Sequence, residues 1–127
     1  MKILEKLSEV VYIKVIENGF LTNISSSEQE ATFLAKEPFS TSRLAIGQFG
    51  PAESLLKEII TKTKRHFLQP APIVIIHQLY KAEGGLSEIE IRVLKELAYG
   101  AGARAVHVWQ GDELSKKAIE SEIYKST

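Results

Sequence analysis

Apolar and polar positions change their period several times along the chain, and each change marks an element. Residues 10–17, VVYIKVIE, are rich in β-branched and aromatic side chains and predict a strand. Asn18-Gly19 follows and predicts a two-residue hairpin turn, because both residue types accept positive φ. Residues 20–24 form the expected return strand, and Ser25-Ser26-Ser27 a loop. Residues 29–36 predict a third strand, with Ala31, Phe33 and Ala35 on one face. Residues 37–50 hold Pro38, Gly47 and Gly50 and predict mainly connection, with a short extended piece within residues 43–48.

The period then turns helical. Pro51 suits a first helical turn, where its missing N–H costs nothing. Ala52, Leu55, Leu56, Ile59, Ile60 and Thr63 recur at helical spacing, which predicts a helix to about Phe67. Lys62, Lys64 and Arg65 would complement its C-terminal dipole, and Pro70 and Pro72 bar its continuation. Ile73-Val74-Ile75-Ile76 lacks alternation and predicts a strand covered on both faces. Residues 79–85 connect it to a helix that opens with the capping box Ser87-x-x-Glu90, with Leu86 and Ile91 placed as a hydrophobic staple. Ile89, Val93, Leu94 and Leu97 continue the predicted buried stripe, which Gly100 and Gly102 end. Residues 105–109 predict a second buried strand, and Asp112 a cap for a last helix carrying Leu114, Ala118 and Ile119. Residues 1–9 predict a short amphipathic turn with Ile3, Leu4 and Leu7 on one side.

This order predicts a single α/β domain over the whole chain. A mixed sheet starts as an N-terminal β-hairpin and continues as βαβα units with right-handed crossovers. At 127 residues, one domain with its own core is the expectation. Sixteen basic residues balance sixteen acidic ones, so charge gives no reason to expect a nucleic-acid partner. The absence of cysteine excludes disulfides and thiol chemistry. No run approaches a membrane span, and the N-terminus lacks a signal-peptide pattern, so a cytoplasmic location is expected.

The stretch HFLQPAPIVIIHQ followed by GGLSEIEIRVLKELAYGAGARAVHVW resembles a segment of the MreB family, the bacterial actins that determine rod shape. The run Gly100 to Arg104, GAGAR, is its most specific piece. About half the chain matches well, and the first fifty residues match in pattern. The resemblance implies subdomain IA of the actin/ribonuclease-H-like fold. It also implies what is lost. The family's first hairpin carries an aspartate-leucine-glycine-threonine loop that holds nucleotide phosphates and metal. Lys14 stands near the place of the aspartate and Ile16 at that of the glycine, where a Cβ blocks close backbone approach. Gln110-Gly111-Asp112 replaces the family's acidic pair and proline, although Asp112 and Glu113 lie close by. The second phosphate loop and second domain have no counterpart here. The expectation is a chain that is not an actin-type ATPase and needs no cofactor.

Other chemistry has few candidates. His66, His77 and His107 lack metal-site spacing, and no metal centre is expected. His77 is expected just after a strand, at the carboxyl edge where α/β proteins bind ligands. Gly84 and Gly85 precede a helix and can present backbone N–H groups to an anion, although the capping box already uses two of them. With Gln110 they make a candidate ligand crevice. Tyr80 and Trp109 are candidates for a contact patch, with core or rim packing as the ordinary alternative. Residues 1–9 resemble the amphipathic start by which some MreB relatives touch membranes, though one short turn with two lysines carries little membrane affinity.

Three functions follow as expectations. The first is a non-catalytic MreB-like interaction module that forms a homodimer or binds a protein linked to cell shape or the envelope. The second is a small-ligand or anion-binding α/β domain. The third, an enzyme using His77 or Asp112, lacks a nucleophile–base–stabiliser set.

Overall fold

The computed structural model describes residues 8–64 and 68–126. Its centre is a five-stranded mixed sheet in the order β3-β2-β1-β4-β5. β1 (Val10–Ile16), β2 (Gly19–Ile24) and β3 (Glu30–Leu34) form an antiparallel meander. β4 (Ile73–Gln78) runs parallel to β1 on its other side, and β5 (Ala105–Trp109) parallel to β4. α1 (Phe49–Thr63) and α2 (Glu88–Gly100) provide the crossovers, and a short α3 (Lys116–Glu120) and a 3-10 turn (Ile123–Ser126) follow β5. Protein α/β architecture with one mixed sheet is therefore as the hydrophobic pattern predicts.

Strand alternation sorts the side chains onto two faces. Val11, Ile13 and Val15 of β1 join Val74 and Ile76 of β4 and Val106 and Val108 of β5 in the main core. α1 covers that face with Ala52, Leu56, Ile59 and Ile60, and α2 with Leu94, Leu97 and Ala98. Phe39, from the β3–α1 connection, stacks on Phe20 at 5.3 Å between ring centres. The opposite face holds a smaller cluster in which Tyr12 and Ile75 are covered by Leu114 and Tyr124. Fully burying side chains of this size contributes about 1.5–3 kcal/mol each, so the two helices on the main face carry most of the stabilisation.

Several boundaries move, each for a local reason. The hairpin turn is Glu17-Asn18, and Gly19 already pairs with Ile16. Asn18 takes the positive φ of 53°, and its Oδ1 accepts from the N–H groups of Phe39 and Ser40 at 2.9 and 2.7 Å. Glycine is needed at position 19 for room, since a Cβ there would lie 2.6 Å from the Phe33 carbonyl oxygen. β3 is shorter than residues 29–36 and the chain bends after Ala35. Residues 43–48 form no strand, because the Thr41 hydroxyl accepts from the N–H groups of Arg43 and Leu44 and closes a turn.

α1 begins two residues before Pro51 and stops at Thr63, with Lys64 already extended. The predicted extension toward Phe67, with Arg65 and His66, falls outside the described residues beyond that point, as do residues 1–7 of the predicted N-terminal turn. The Ser87–Glu90 capping box forms as expected, with both of its hydrogen bonds. Ile89 does not join the buried stripe; it is 75% exposed. β5 alternates between buried and half-buried positions because it is a sheet edge. Ser115, not Asp112, caps the last helix, accepting from Ala118 N–H.

Candidate functional site

β4 extends two residues beyond the aliphatic run, and this changes the place of His77. It lies inside the strand, paired with Lys14 of β1 and Trp109 of β5, rather than after it. The same alternation puts Tyr12, Lys14 and His77 on the face of the smaller cluster. A chain of hydrogen bonds crosses this face. The Leu114 N–H donates to the Tyr12 hydroxyl at 3.1 Å, and that oxygen lies 2.6 Å from His77 Nδ1. The His77 ring also hydrogen-bonds the Gly111 backbone.

Burial lowers the His77 pKa from its usual value, and the Lys14 charge adds to this. The Gly111 bond and the Glu113 carboxylate oppose it without reversing it. His77 is therefore neutral at pH 7. Its Nδ1 accepts from Tyr12, and it donates to the Gly111 carbonyl, the direction in which a backbone bond raises a histidine pKa. Both ring nitrogens are then occupied, which leaves no lone pair free for a general base. Burial also raises the Tyr12 pKa, although the Leu114 N–H and the Lys14 ammonium pull it down.

Lys14 is 7% exposed, and its ammonium is shared by two carboxylates. Glu113 Oε1 lies 2.9 Å away and Glu30 Oε2 2.5 Å away. The ammonium also stands 5.5 Å from the centre of the Tyr12 ring. Burial alone would lower the Lys14 pKa, but the hydrogen bonds to Glu30 and Glu113 outweigh it and leave it raised. The bond from Lys14 holds the Glu113 carboxyl below its usual range. The triad ties β1 to β3 and to the segment after β5.

A cavity of about 400 Å³ opens at the carboxyl ends of β4 and β5. His77, Gly85 and Gln110 line it, so three of the four predicted ligand residues share one space, while Gly84 does not line it. Gly84 and Gly85 have φ of 81° and 89°, and this double left-handed step turns the loop into α2. The polar groups there are largely engaged. Gln110 Oε1 accepts from Leu86 N–H at 2.9 Å, Ser87 N–H donates to Glu90, and Gly85 N–H donates to Ala82 O. Glu83 adds a carboxylate to the lining, which disfavours an anion.

Tyr80 and Trp109 lie apart. Tyr80 packs on the main core and its hydroxyl donates to Glu17 at 3.0 Å, whereas Trp109 packs on the smaller cluster and its Nε1–H donates to the Asp112 carbonyl. His107 meets Tyr124 edge to face at 5.1 Å. Burial lowers its pKa, with Lys125 and Lys95 in support. Among the described residues, no three His, Asp or Glu side chains converge as a metal site, and no helix is long and apolar enough to cross a membrane. The sequence pattern missed Tyr12, Glu30 and Glu113 as partners of Lys14. The spacing of Tyr12 and Lys14, two residues apart in a strand otherwise apolar, puts those two on one face but carries no sign of the carboxylates.

No protein-family model matches the sequence. The chain is 31% identical over 98 residues to a protein of Escherichia coli (strain K12) described as the uncharacterized protein YjaA, a match covering 72% of this chain and 76% of that one. The chain belongs to the YjaA family. In this YjaA family member the Lys14 triad and the Tyr12–His77 pair share one face of the sheet, and His77 also lines the crevice.

Proposed function

We propose that this YjaA family member is a non-catalytic protein-interaction module with the architecture of an actin-like, MreB-like subdomain. The observation that carries the proposal is the state of Lys14. On the MreB resemblance this position stands near the place of the phosphate-handling aspartate. Here it holds a buried cation already bound by Glu30 and Glu113. A nucleotide phosphate would have to displace both carboxylates and would then face their charge. The sheet order β3-β2-β1-β4-β5, with a meander on one side of β1 and βαβ units on the other, supports the actin-like or ribonuclease-H-like part of the reading. A link to cell shape or envelope machinery comes from the same resemblance. Isothermal calorimetry with magnesium–ATP tests the proposal. No heat of binding is expected, and micromolar capture of the nucleotide by the protein would overturn it.

A second reading, a small-ligand domain, draws on the crevice shared by His77, Gly85 and Gln110. Its spare donors are few and Glu83 opposes anions, so a neutral polar ligand suits it best. A thermal-shift panel of neutral metabolites separates the two readings, because a ligand that binds the folded state raises the melting temperature.

A further inference from the structure

One edge of the sheet is open in a specific way. Among the described residues, β3 bonds only to β2. Ala35 N–H donates to Asn18 O, which continues the register pairing Phe33 with Phe20 and Ala31 with Thr22. Bonded and non-bonded pairs alternate in an antiparallel ladder. Residues 31, 33 and 35 thus direct their backbone groups to β2, and Glu30, Thr32 and Leu34 direct theirs outward. Such an edge is a template for another strand unless proline, a bulge or inward charge protects it. EATFLAK, residues 30–36, contains no proline, and Leu34 is 67% exposed. Beside the edge, between β3 and α1, lies a groove of about 530 Å³ lined by Phe33, Ala35, Pro51 and Leu55.

We propose that this edge pairs with β3 of a second copy of the chain, antiparallel, about a two-fold axis beside Phe33. The inference rests on the interaction-module reading and names its partner. A two-fold axis must set outward-bonding residues against outward-bonding residues, and axes at Thr32 and at Phe33 both do so. The axis at Phe33 places Thr32 opposite Leu34 and Ala31 opposite Ala35, and brings Glu30 to Lys36 of the second copy, which stands at the bend just past β3. The segment is acidic at one end and basic at the other, so antiparallel copies match in charge. An axis at Thr32 sets Glu30 against Leu34 and leaves the charges unmatched.

Glu30 has an electrostatic reason to take a second cation. One ammonium, Lys14, serves both Glu30 and Glu113, which leaves a net negative charge at that end of β3. The Glu30 side chain is 39% exposed and reachable, and Lys36 is exposed with no ion pair among the described residues. The two Phe33 rings form a non-hydrogen-bonded cross-strand pair, the closer kind, with Cα atoms about 4.5 Å apart. Aromatic pairs of this kind stabilise sheets. They stand on the face that borders the groove, where Pro51 and Leu55 offer apolar contact beside the polar Ser54 and Glu58, and where the Lys62 ammonium lies 5.8 Å from the Phe33 ring centre.

The chain has no cysteine, so single cysteines report the register cleanly. The full chain should run as a dimer in size-exclusion chromatography with light scattering. Phe33→Cys should give a covalent dimer on mild oxidation, because the expected spacing suits a disulfide. Thr32→Cys should crosslink far less, and preferential crosslinking there would overturn the register. Lys36→Glu sets like charges opposite at two symmetric contacts and should weaken the dimer about tenfold. Circular dichroism should show its fold unchanged. A dimer indifferent to Lys36→Glu and uncrosslinked by Phe33→Cys would overturn the inference but leave the interaction reading standing. A strict monomer at high concentration overturns the inference also, whereas magnesium–ATP binding defeats the reading beneath it.

Discussion

Lys14 Nζ lies 2.9 Å from Glu113 Oε1, although ninety-nine positions separate the two residues. The bond spans the strand at the centre of the sheet and the segment that closes its smaller cluster. Lys14→Met removes the cation and leaves Glu30 and Glu113 facing each other, partly exposed and free to turn to water. The expected loss is about 1–3 kcal/mol, the range for a hydrogen bond to a charged group rather than for a fully buried pair. Glu113→Gln keeps a hydrogen-bond acceptor and should lose less than about 1 kcal/mol. Urea denaturation measures both, and equal stability of Lys14→Met and the parent would show that the triad holds nothing.

Acid should weaken the fold in two stages. His77 and His107 both have pKa values lowered from 6.5, chiefly by burial. The unfolded chain then takes up protons first as pH falls. Their contribution is complete above about 6.5 and is lost as pH drops through the folded-state values. Glu113 is lowered from 4.5 by Lys14, so its contribution is lost only further down. A His77→Gln, His107→Phe double variant should flatten the first stage of the melting-temperature profile and keep the second. A profile with the same slope near neutrality in parent and variant would contradict this.

Thr22 is 2% exposed, and its Oγ1 is a buried polar atom without a hydrogen-bond partner among the described residues. It sits on the main-core face, opposite Ile13. Thr22→Val replaces the hydroxyl by a methyl of similar shape and keeps the β-branch. Stability should rise by about 1 kcal/mol, since an unsatisfied buried polar group costs roughly 1–3 kcal/mol. Differential scanning calorimetry reads this, and a lower melting temperature would place an unseen partner on the hydroxyl.

Asn18 joins the hairpin to the β3–α1 connection through its Oδ1 bonds to Phe39 and Ser40. Asn18→Gly preserves the positive φ and deletes both bonds. A loss of about 1–3 kcal/mol is expected for two such bonds. Asn18→Ala adds a left-handed strain and should lose more. If the glycine variant matches the parent, Phe39 is held by packing alone.

Local signals made much of the fold legible. The Ser87–Glu90 box, the aliphatic run of β4 and the helical stripe of α1 are decided by neighbours in sequence, and they formed where predicted. Boundaries moved where distant residues intervened. Gly19 left the turn to pair with Ile16, and Glu17 entered it beside Asn18, whose Oδ1 holds Phe39 and Ser40. The candidate crevice was partly legible: His77 and Gln110 lie at the carboxyl ends of the adjacent parallel strands β4 and β5, and the loop entering α2 brings Gly85 to them. The Lys14 triad was not. Its carboxylates come from β3 and from beyond β5, and nothing in the residues around Lys14 announces them.

The two sides of the sheet are unequally clad. Among the described residues, four buried ones make up the smaller cluster, and two of them, Leu114 and Tyr124, come from the segment after β5. That stretch should open and reclose at a lower free energy than the main body. Its backbone amides should exchange with heavy water sooner than those of β1 and β4. Each opening would bare Ile75 and Tyr12, which makes the segment after β5 a removable cover over that face.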